Sequence, residues 1–267
     1  MRSHWTAMTA APFPESADRS VRALSFGAVA VAYDRFRPAP PQAAVEWFLA
    51  QRVDVAVDVA AGTGALARRL LGHADRVIAV EPDERMAAVL ARRLPQVELL
   101  IGRAESLPLA DASADAVFVS SAWHWLDHEA AVPEIARVLR PGGLLGICWT
   151  SLDRESARGK LLWKAGRELL PLRPERGERH GPEDIHLPEG APFGPPQIAR
   201  LRAGWRVSPR RLAEVIGTYS SVITLPEAER ERLLAQVRDA VVTNPAFVGR
   251  KRVTVPLSCR CWKARRL

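Results

Sequence analysis

The sequence predicts an α/β fold: a doubly wound, mostly parallel sheet of about seven strands with helices packed on it. Three observations carry this expectation. From residue 53 onward, short β-branched runs alternate with helix-length segments, which is the pattern of βαβ units. The first such run, residues 53–59, ends in the turn Ala60-Ala61-Gly62-Thr63-Gly64 and then becomes helical. Two further strand-like runs, 198–207 and 252–262, extend the series beyond the fifth strand.

Element by element, residues 1–24 are rich in Pro, Ser and Ala without a period and read as a flexible tail. A short helix is expected over 26–36, stopped by Pro38-Ala39-Pro40-Pro41, and a second over 42–51. Strands are expected at 53–59, 77–80, 97–101, 116–120 and 144–149, the last after a Pro141-Gly142-Gly143 turn. Helices fill the gaps at 65–71, 83–94 and 129–139; in the second, Met86, Val89, Leu90 and Leu94 recur at helical spacing. Residues 171–198 hold many Pro, Gly, Arg and Glu and read as a long, lid-like loop. Helices at 209–216 and 227–242 precede the final strand. The expected organisation is one domain over 25–267, with a core at 42–152, an insertion at about 153–215 and a closing helix and strand at 216–267.

With 267 residues and 48% hydrophobic content, the chain can bury a sizeable core. No apolar run approaches the ~20 residues of a membrane span, and Met1 to Ala11 lacks a continuous apolar stretch. No membrane association is therefore expected, and a cytoplasmic protein is the default. Cys148, Cys259 and Cys261 are too few for a disulfide framework and too isolated for zinc, so they read as small core residues. The net charge of +8 comes almost entirely from arginines scattered beside Asp or Glu. That distribution argues against nucleic acid as a partner and fits either a solvated surface or a preference for anionic small molecules.

The chemistry concentrates in the loop after the first strand. Its glycines permit a tight turn and a close backbone approach by a ligand, which then meets the N–H groups of the following helix. Glycines alone would equally fit a dinucleotide site. Two carboxylates narrow the choice. Asp58, inside the end of the strand, is awkward beside a pyrophosphate and suits an amino-acid ammonium, directly or through water. Glu81 ends the second strand, 17 residues after Gly64, where a carboxylate can accept both ribose hydroxyls. Adenosine carrying a charged methionine tail satisfies both. Glu105, in Gly102-Arg103-Ala104-Glu105, follows the third strand at the same sheet edge and can read an adenine edge.

The ordered series Val57-Asp58-Val59-Ala60-Ala61-Gly62-Thr63-Gly64, Ala79-Val80-Glu81-Pro82-Asp83, Gly102 to Pro108, Ala122-Trp123-His124-Trp125 and Arg137 to Gly143 resembles class I S-adenosylmethionine-dependent methyltransferases. The nearest likeness is to the small-molecule branch containing ubiquinone/menaquinone and trans-aconitate methyltransferases, particularly actinobacterial forms. The resemblance covers about residues 25–152 strongly and the remainder loosely. It implies a Rossmann-like sheet with an antiparallel last strand, and S-adenosylmethionine as cofactor. It further implies that Ala60, Gly62, Gly64 and Ser121 border the methionine moiety with support from Asp58, and that Glu81 binds the ribose. Pro82, Met86, Ala104 and Glu105 would surround adenine, and Tyr33 and Arg37 would close over cofactor and substrate. Many relatives read Trp-Asn where this chain has Trp149-Thr150, so the substrate role of that Asn does not carry over.

His124 is the expected general base, following the fourth strand at the ligand-binding edge of the sheet. Trp123, Trp125 and Trp149 are the expected substrate-pocket wall. The expected acceptor is a small molecule methylated on oxygen, a sugar hydroxyl, another hydroxyl or a carboxylate, with arginines of 153–215 able to hold an anionic group. Ser120-Ser121-Ala122-Trp123 stands where enzymes that methylate base amines usually carry Asn/Asp-Pro-Pro-aromatic. His180, Glu183, Asp184 and His186 form a polar cluster more typical of loop chemistry, and no metal is expected. A nicotinamide-dependent oxidoreductase and a catalytically silent S-adenosylmethionine-binding protein are the competing readings.

Overall fold

The computed structural model describes residues 25–169, 185–244 and 247–267. The expected tail at 1–24, and His180, Glu183 and Asp184 of the polar cluster, lie outside them. A 3-10 turn at Phe26–Val29 leads into α1 (Ala30–Phe36) and α2 (Gln42–Phe48). Then come β1 (Val53–Val59), α3 (Ala67–Leu70), β2 (Ala74–Glu81), α4 (Glu84–Arg93), β3 (Glu98–Ile101) and β4 (Ala114–Ser120). A second 3-10 turn, Trp123–Trp125, precedes α5 (His128–Val138), β5 (Leu139–Leu152) and α6 (Ala157–Leu169). The chain closes with β6 (Gln197–Val207), α7 (Pro209–Ile216), α8 (Ser220–Ile223), α9 (Glu227–Thr243) and β7 (Val253–Arg265).

The seven strands form one sheet in the order β3-β2-β1-β4-β5-β7-β6. β1 to β5 pair in parallel, whereas β7 runs antiparallel to both β5 and β6. The doubly wound sheet and its antiparallel last strand are thus as expected. The Pro141-Gly142-Gly143 segment departs from expectation, because it lies within β5 instead of preceding it. Pairing with β4 steps from Ala114↔Leu139 to Ala116↔Leu144, so the extra residues form an irregularity in the strand. α6 was not expected: its Leu161, Leu162 and Trp163 fall in one turn and set no helical period.

Strand alternation sorts the core into two faces. Val55, Val57 and Val59 of β1 join Val117, Val119, Ile147 and the α5 residues Val132 and Ile135 on one face. Ala56 points the other way, towards Phe48, Leu66, Leu70, Leu90 and Phe118. Cys148, Cys259 and Cys261 are free and buried on this second face, and the Cys259 and Cys261 sulfurs are 3.6 Å apart, as same-side neighbours on a strand must be. A further cluster joins α7 and α9 to β6 and β7 through Val207, Ala213, Leu233, Val237 and Val255. Strand order reverses between β1 and β4, and the crevice beyond their carboxyl ends is where ligands of such sheets bind.

Candidate active site

A cavity of about 690 Å³ occupies that crevice, inside the roughly 300–1,000 Å³ usual for small-ligand sites. The ends of four strands supply its floor: Ala60 to Thr63 after β1, Glu81 and Pro82 at β2, Ser120 to Ala122 at β4, and Thr150 on β5. Met86, Ala104 and Glu105 form one side, and Phe26, Tyr33 and Arg37 roof it from the N-terminal helices.

Two floor residues adopt left-handed backbone without being glycine: Ala60 at φ 53° and Ser121 at φ 58°. They end β1 and β4, the strands on either side of the topological switch. Such strained positions cluster at functional sites. Ala60→Gly relieves a left-handed penalty of about 1 kcal/mol at some entropic cost. Urea unfolding of that variant is therefore expected to show an unchanged or slightly raised stability.

The two glycines of the loop do different work. Gly62 (φ +58°) faces the cavity, with only Met86 Cε at 3.4 Å from where a Cβ would sit. Gly64 (φ +81°) does not line the cavity; a Cβ there would come within 2.7 Å of Leu94 Cδ1 and 2.9 Å of Leu90 Cγ. Gly64 therefore lets α4 pack against the loop.

The carboxylates also differ. Asp58 points to the α3 face, 1% exposed, and its Oδ2 accepts from the Ala67 N–H at 2.9 Å. Its Oδ1 is buried without a hydrogen-bond partner among the described residues. Burial pushes its carboxyl up to about 7, against the Ala67 hydrogen bond and with help from the Glu81 charge. Glu81, 6% exposed, lines the cavity. Its Oε2 accepts from Gly62 N–H at 2.7 Å and its Oε1 from Asp83 N–H at 3.0 Å. Burial raises its pKa, although both amide bonds oppose the shift. Asp83 caps α4 through Arg85 N, and the Arg85 side chain holds its carboxyl below the usual range.

The residues after β4 fall differently from expectation. Trp125 lines the cavity, but His124, Trp123 and Trp149 do not. The 3-10 turn, entered through left-handed Ser121, rotates successive side chains apart. Trp123 goes into the core, 3% exposed. His124 Nδ1 accepts from the Trp149 indole N–H at 3.5 Å, and its ring lies 4.6 Å from that of Trp125. His128, in the first turn of α5, lines the cavity instead. Its ring stacks on Trp123 at 4.7 Å, and its Nε2 lies 2.9 Å from the Trp123 carbonyl. Because a carbonyl only accepts, that nitrogen carries the hydrogen, and Nδ1 keeps the lone pair of the neutral ring.

Charge in the cavity is mainly negative. Glu81, Glu105, Asp127 and Glu129 line it, against Arg37 and Arg103. Arg103 pairs with Glu105 at 3.4 Å, and Arg37 donates to the hydroxyl and carbonyl of Thr218. Of the arginines expected to hold an anion from 153–215, Arg202 pairs with Asp153 and Glu155, Arg200 with Glu155, Arg154 lies over Trp163 and Arg211 over Trp205, while Arg173, Arg176 and Arg179 fall outside the described residues. No described residue of 153–215 lines the cavity. Among the described residues, no group of three His, Cys, Asp or Glu is placed to hold a metal ion, and no helix is long and apolar enough to cross a membrane.

Residues 57–147 match the family model for a methyltransferase domain. A methyltransferase of Mycobacterium tuberculosis of unassigned specificity is 37% identical over 244 residues, covering 90% of this chain and 95% of that protein. This chain belongs to the S-adenosylmethionine-dependent methyltransferases. A methyltransferase-like protein of Schizosaccharomyces pombe is 28% identical to this methyltransferase over 220 residues, 80% of this chain and 84% of that one. A solved structure from Anaeromyxobacter dehalogenans, provisionally described as a type II methyltransferase, superposes with a TM-score of 0.63 at 25% identity. It covers 86% of this methyltransferase and 98% of its own chain.

The site fits the donor of that family. Adenosine and methionine need a diol acceptor, an apolar slot and a counter-charge for an ammonium. Glu81 and Met86 with Ala104, on the lining, are of the first two kinds; Asp58, with its unpartnered Oδ1, is of the third but lies buried behind the β1 loop and does not itself line the cavity. Sequence reasoning did not assign Phe26, Arg103, Asp127, His128, Glu129 or Thr150 to the lining. Only Thr150 carried a signal, as the position where Asn is replaced.

Proposed function

We propose that this methyltransferase methylates the oxygen of an uncharged hydroxyl on a small molecule. The observation that carries the reading is the charge of the cavity: four carboxylates face two arginines, each already engaged by protein. A carboxylate or phosphate acceptor would enter against that field, whereas a neutral hydroxyl beside Phe26, Tyr33 and Trp125 would not. S-adenosylmethionine supplies an activated methyl group, so the protein's work is alignment and proton handling. In this reading Ala60, Gly62 and Ser121 border the methionine end, Asp58 supports its ammonium and Glu81 holds the ribose. Pro82, Met86, Ala104 and Glu105 enclose adenine, and Tyr33 and Arg37 close the roof. Gly64 serves the loop's packing. The acceptor's proton needs a base, and the imidazole on the cavity lining is His128. His124 holds Trp125 and Trp149 in place behind it.

A methyl-transfer assay against a panel of small hydroxyl compounds, acids and amines, read by mass, tests this reading. A hydroxyl compound should gain one methyl group per S-adenosylhomocysteine released. His128→Gln should then lower turnover about a hundredfold, and His124→Gln much less. Methylation of acids alone would overturn the acceptor class. Binding of a nicotinamide dinucleotide in place of S-adenosylhomocysteine would overturn the cofactor site.

Asp58 adds a pH dependence. The unfolded carboxyl titrates near 3.8 and the folded one near 7. The folded chain therefore binds the extra proton between those values, and the stability this group contributes is greatest at low pH and falls as pH rises. The loss reaches about 4 kcal/mol above pH 7. Asp58→Asn should flatten that slope in urea unfolding measured from pH 4 to 8. An ammonium ligand favours the ionised form, so S-adenosylhomocysteine affinity should fall by up to about tenfold per pH unit below 7 and stay level above it.

A further inference from the structure

Arg37 follows α1 and reaches across to the α7–α8 junction, 181 residues away in sequence. Its Nε donates to Thr218 Oγ1 and its Nη2 to the Thr218 carbonyl, both at 2.9 Å. Thr218 is fully buried, and its hydroxyl hydrogen goes to the Val215 carbonyl at 2.6 Å. The hydroxyl is thereby oriented with its lone pairs available to Arg37. The guanidinium also lies over two tyrosine rings, 4.4 Å from the centroid of Tyr219 and 5.2 Å from that of Tyr33. Tyr33 packs edge-on against Phe26 at 5.6 Å, and Phe26 against Trp125 at 6.2 Å. A continuous chain of contacts therefore runs from the C-terminal helices through Arg37 to the cavity wall. Phe26, Tyr33, Arg37 and Trp125 all line the cavity, whereas Thr218 and Tyr219 do not.

We propose that Thr218 and Tyr219 are positioning residues: they latch Arg37, and through it the N-terminal helices, over the cofactor, and so set how long the cofactor stays bound. An arginine is suited to this because its planar fork satisfies two acceptors at once while its face stacks on an aromatic ring. With Nε and Nη2 committed to Thr218, the guanidinium is held in one orientation at the cavity wall. The latch also joins the N-terminal helices to the cluster of α7, α9, β6 and β7. This inference rests on the cofactor occupying the cavity as proposed above.

The test measures release of tritiated S-adenosylhomocysteine, chased with the unlabelled compound, from the full chain and its variants. Hydrogen exchange of residues 26–37 in the same complexes is the second readout. Thr218→Val deletes one hydrogen bond to a charged donor and should speed release about tenfold, and Tyr219→Ala should speed it severalfold. Both should raise exchange in residues 26–37. Thr218→Ser, which keeps the hydroxyl and the carbonyl, should restore native release within about twofold. Should Thr218→Val fail to fold, Tyr219→Ala, on a half-buried side chain, carries the test. Release unchanged in Tyr219→Ala, or release in Thr218→Val that Ser does not rescue, overturns the latch. Failure of the native chain to bind S-adenosylhomocysteine at all overturns the cofactor placement instead.

Discussion

Glu81→Ala is expected to weaken S-adenosylhomocysteine binding at least about a hundredfold, or about 3 kcal/mol. Two losses combine. The carboxylate is the diol acceptor proposed for the ribose, and it also holds the loop itself. Its two oxygens take the Gly62 and Asp83 amide hydrogens at 2.7 and 3.0 Å, so truncation leaves both donors without that acceptor at a largely buried position. Each unsatisfied amide costs about 1–3 kcal/mol, and unfolding stability should drop by about 2 kcal/mol or more. Glu81→Gln separates the two roles. One amide oxygen can still serve one backbone donor, but the charge that strengthens bonds to ribose hydroxyls is gone. A loss of about tenfold in affinity, with a smaller stability loss, is expected. Calorimetric titration and urea unfolding of both variants give the four numbers needed. Native-like affinity in Glu81→Ala would mean that the ribose does not lie at β2.

Gly64→Ala is expected to have the largest effect on stability of any single methyl addition in the loop, about 3 kcal/mol or more. The residue is left-handed at φ +81°, and its Cβ would sit 2.7 Å from Leu94 Cδ1 and 2.9 Å from Leu90 Cγ. Leu90 and Leu94 belong to the core beneath α4, so they cannot simply swing aside. Gly62→Ala makes the informative contrast. Its φ of +58° is also strained, but the nearest atom is the flexible Met86 Cε at 3.4 Å. Its stability loss should be about 1 kcal/mol, while its cofactor affinity falls more steeply, because the new methyl projects towards Met86 on the cavity side. Urea unfolding alongside calorimetry would reveal the crossover. Equal stability losses in the two variants would contradict the division of labour between the glycines.

The central sheet and its loop were legible in sequence because their signals are local. β1 and β4 are buried on both faces, so their residues form near-continuous apolar runs, and Asp58 breaks one such run conspicuously. Asp58, Glu81 and the glycine turn were placed by strand ends alone. Which side chains after β4 line the cavity was not legible in this way. His124 sits at the expected sheet edge, but left-handed Ser121 and the turn at Trp123–Trp125 decide which side chains face inward. A rotation of roughly a third of a turn per residue exchanges His124 for Trp125, and His128 arrives at the wall only because α5 begins at that residue. The Arg37–Thr218 pairing is further out of reach, since it joins residues 181 positions apart and neither carries a local mark of the other. Arginine content says little about the site for a related reason. Composition counts cations, whereas the field at the site depends on which of them are already paired, and Arg200 and Arg202 are held by Glu155 and Asp153.

A crystal structure of the chain with S-adenosylhomocysteine tests the central claim most directly. The account predicts both ribose hydroxyls on Glu81, adenine between Met86 and Ala104, and the homocysteine end at Ala60 to Gly62 with its ammonium turned towards Asp58. A ligand seated away from the β1–β4 switch, or one whose ribose leaves Glu81 untouched, would contradict it.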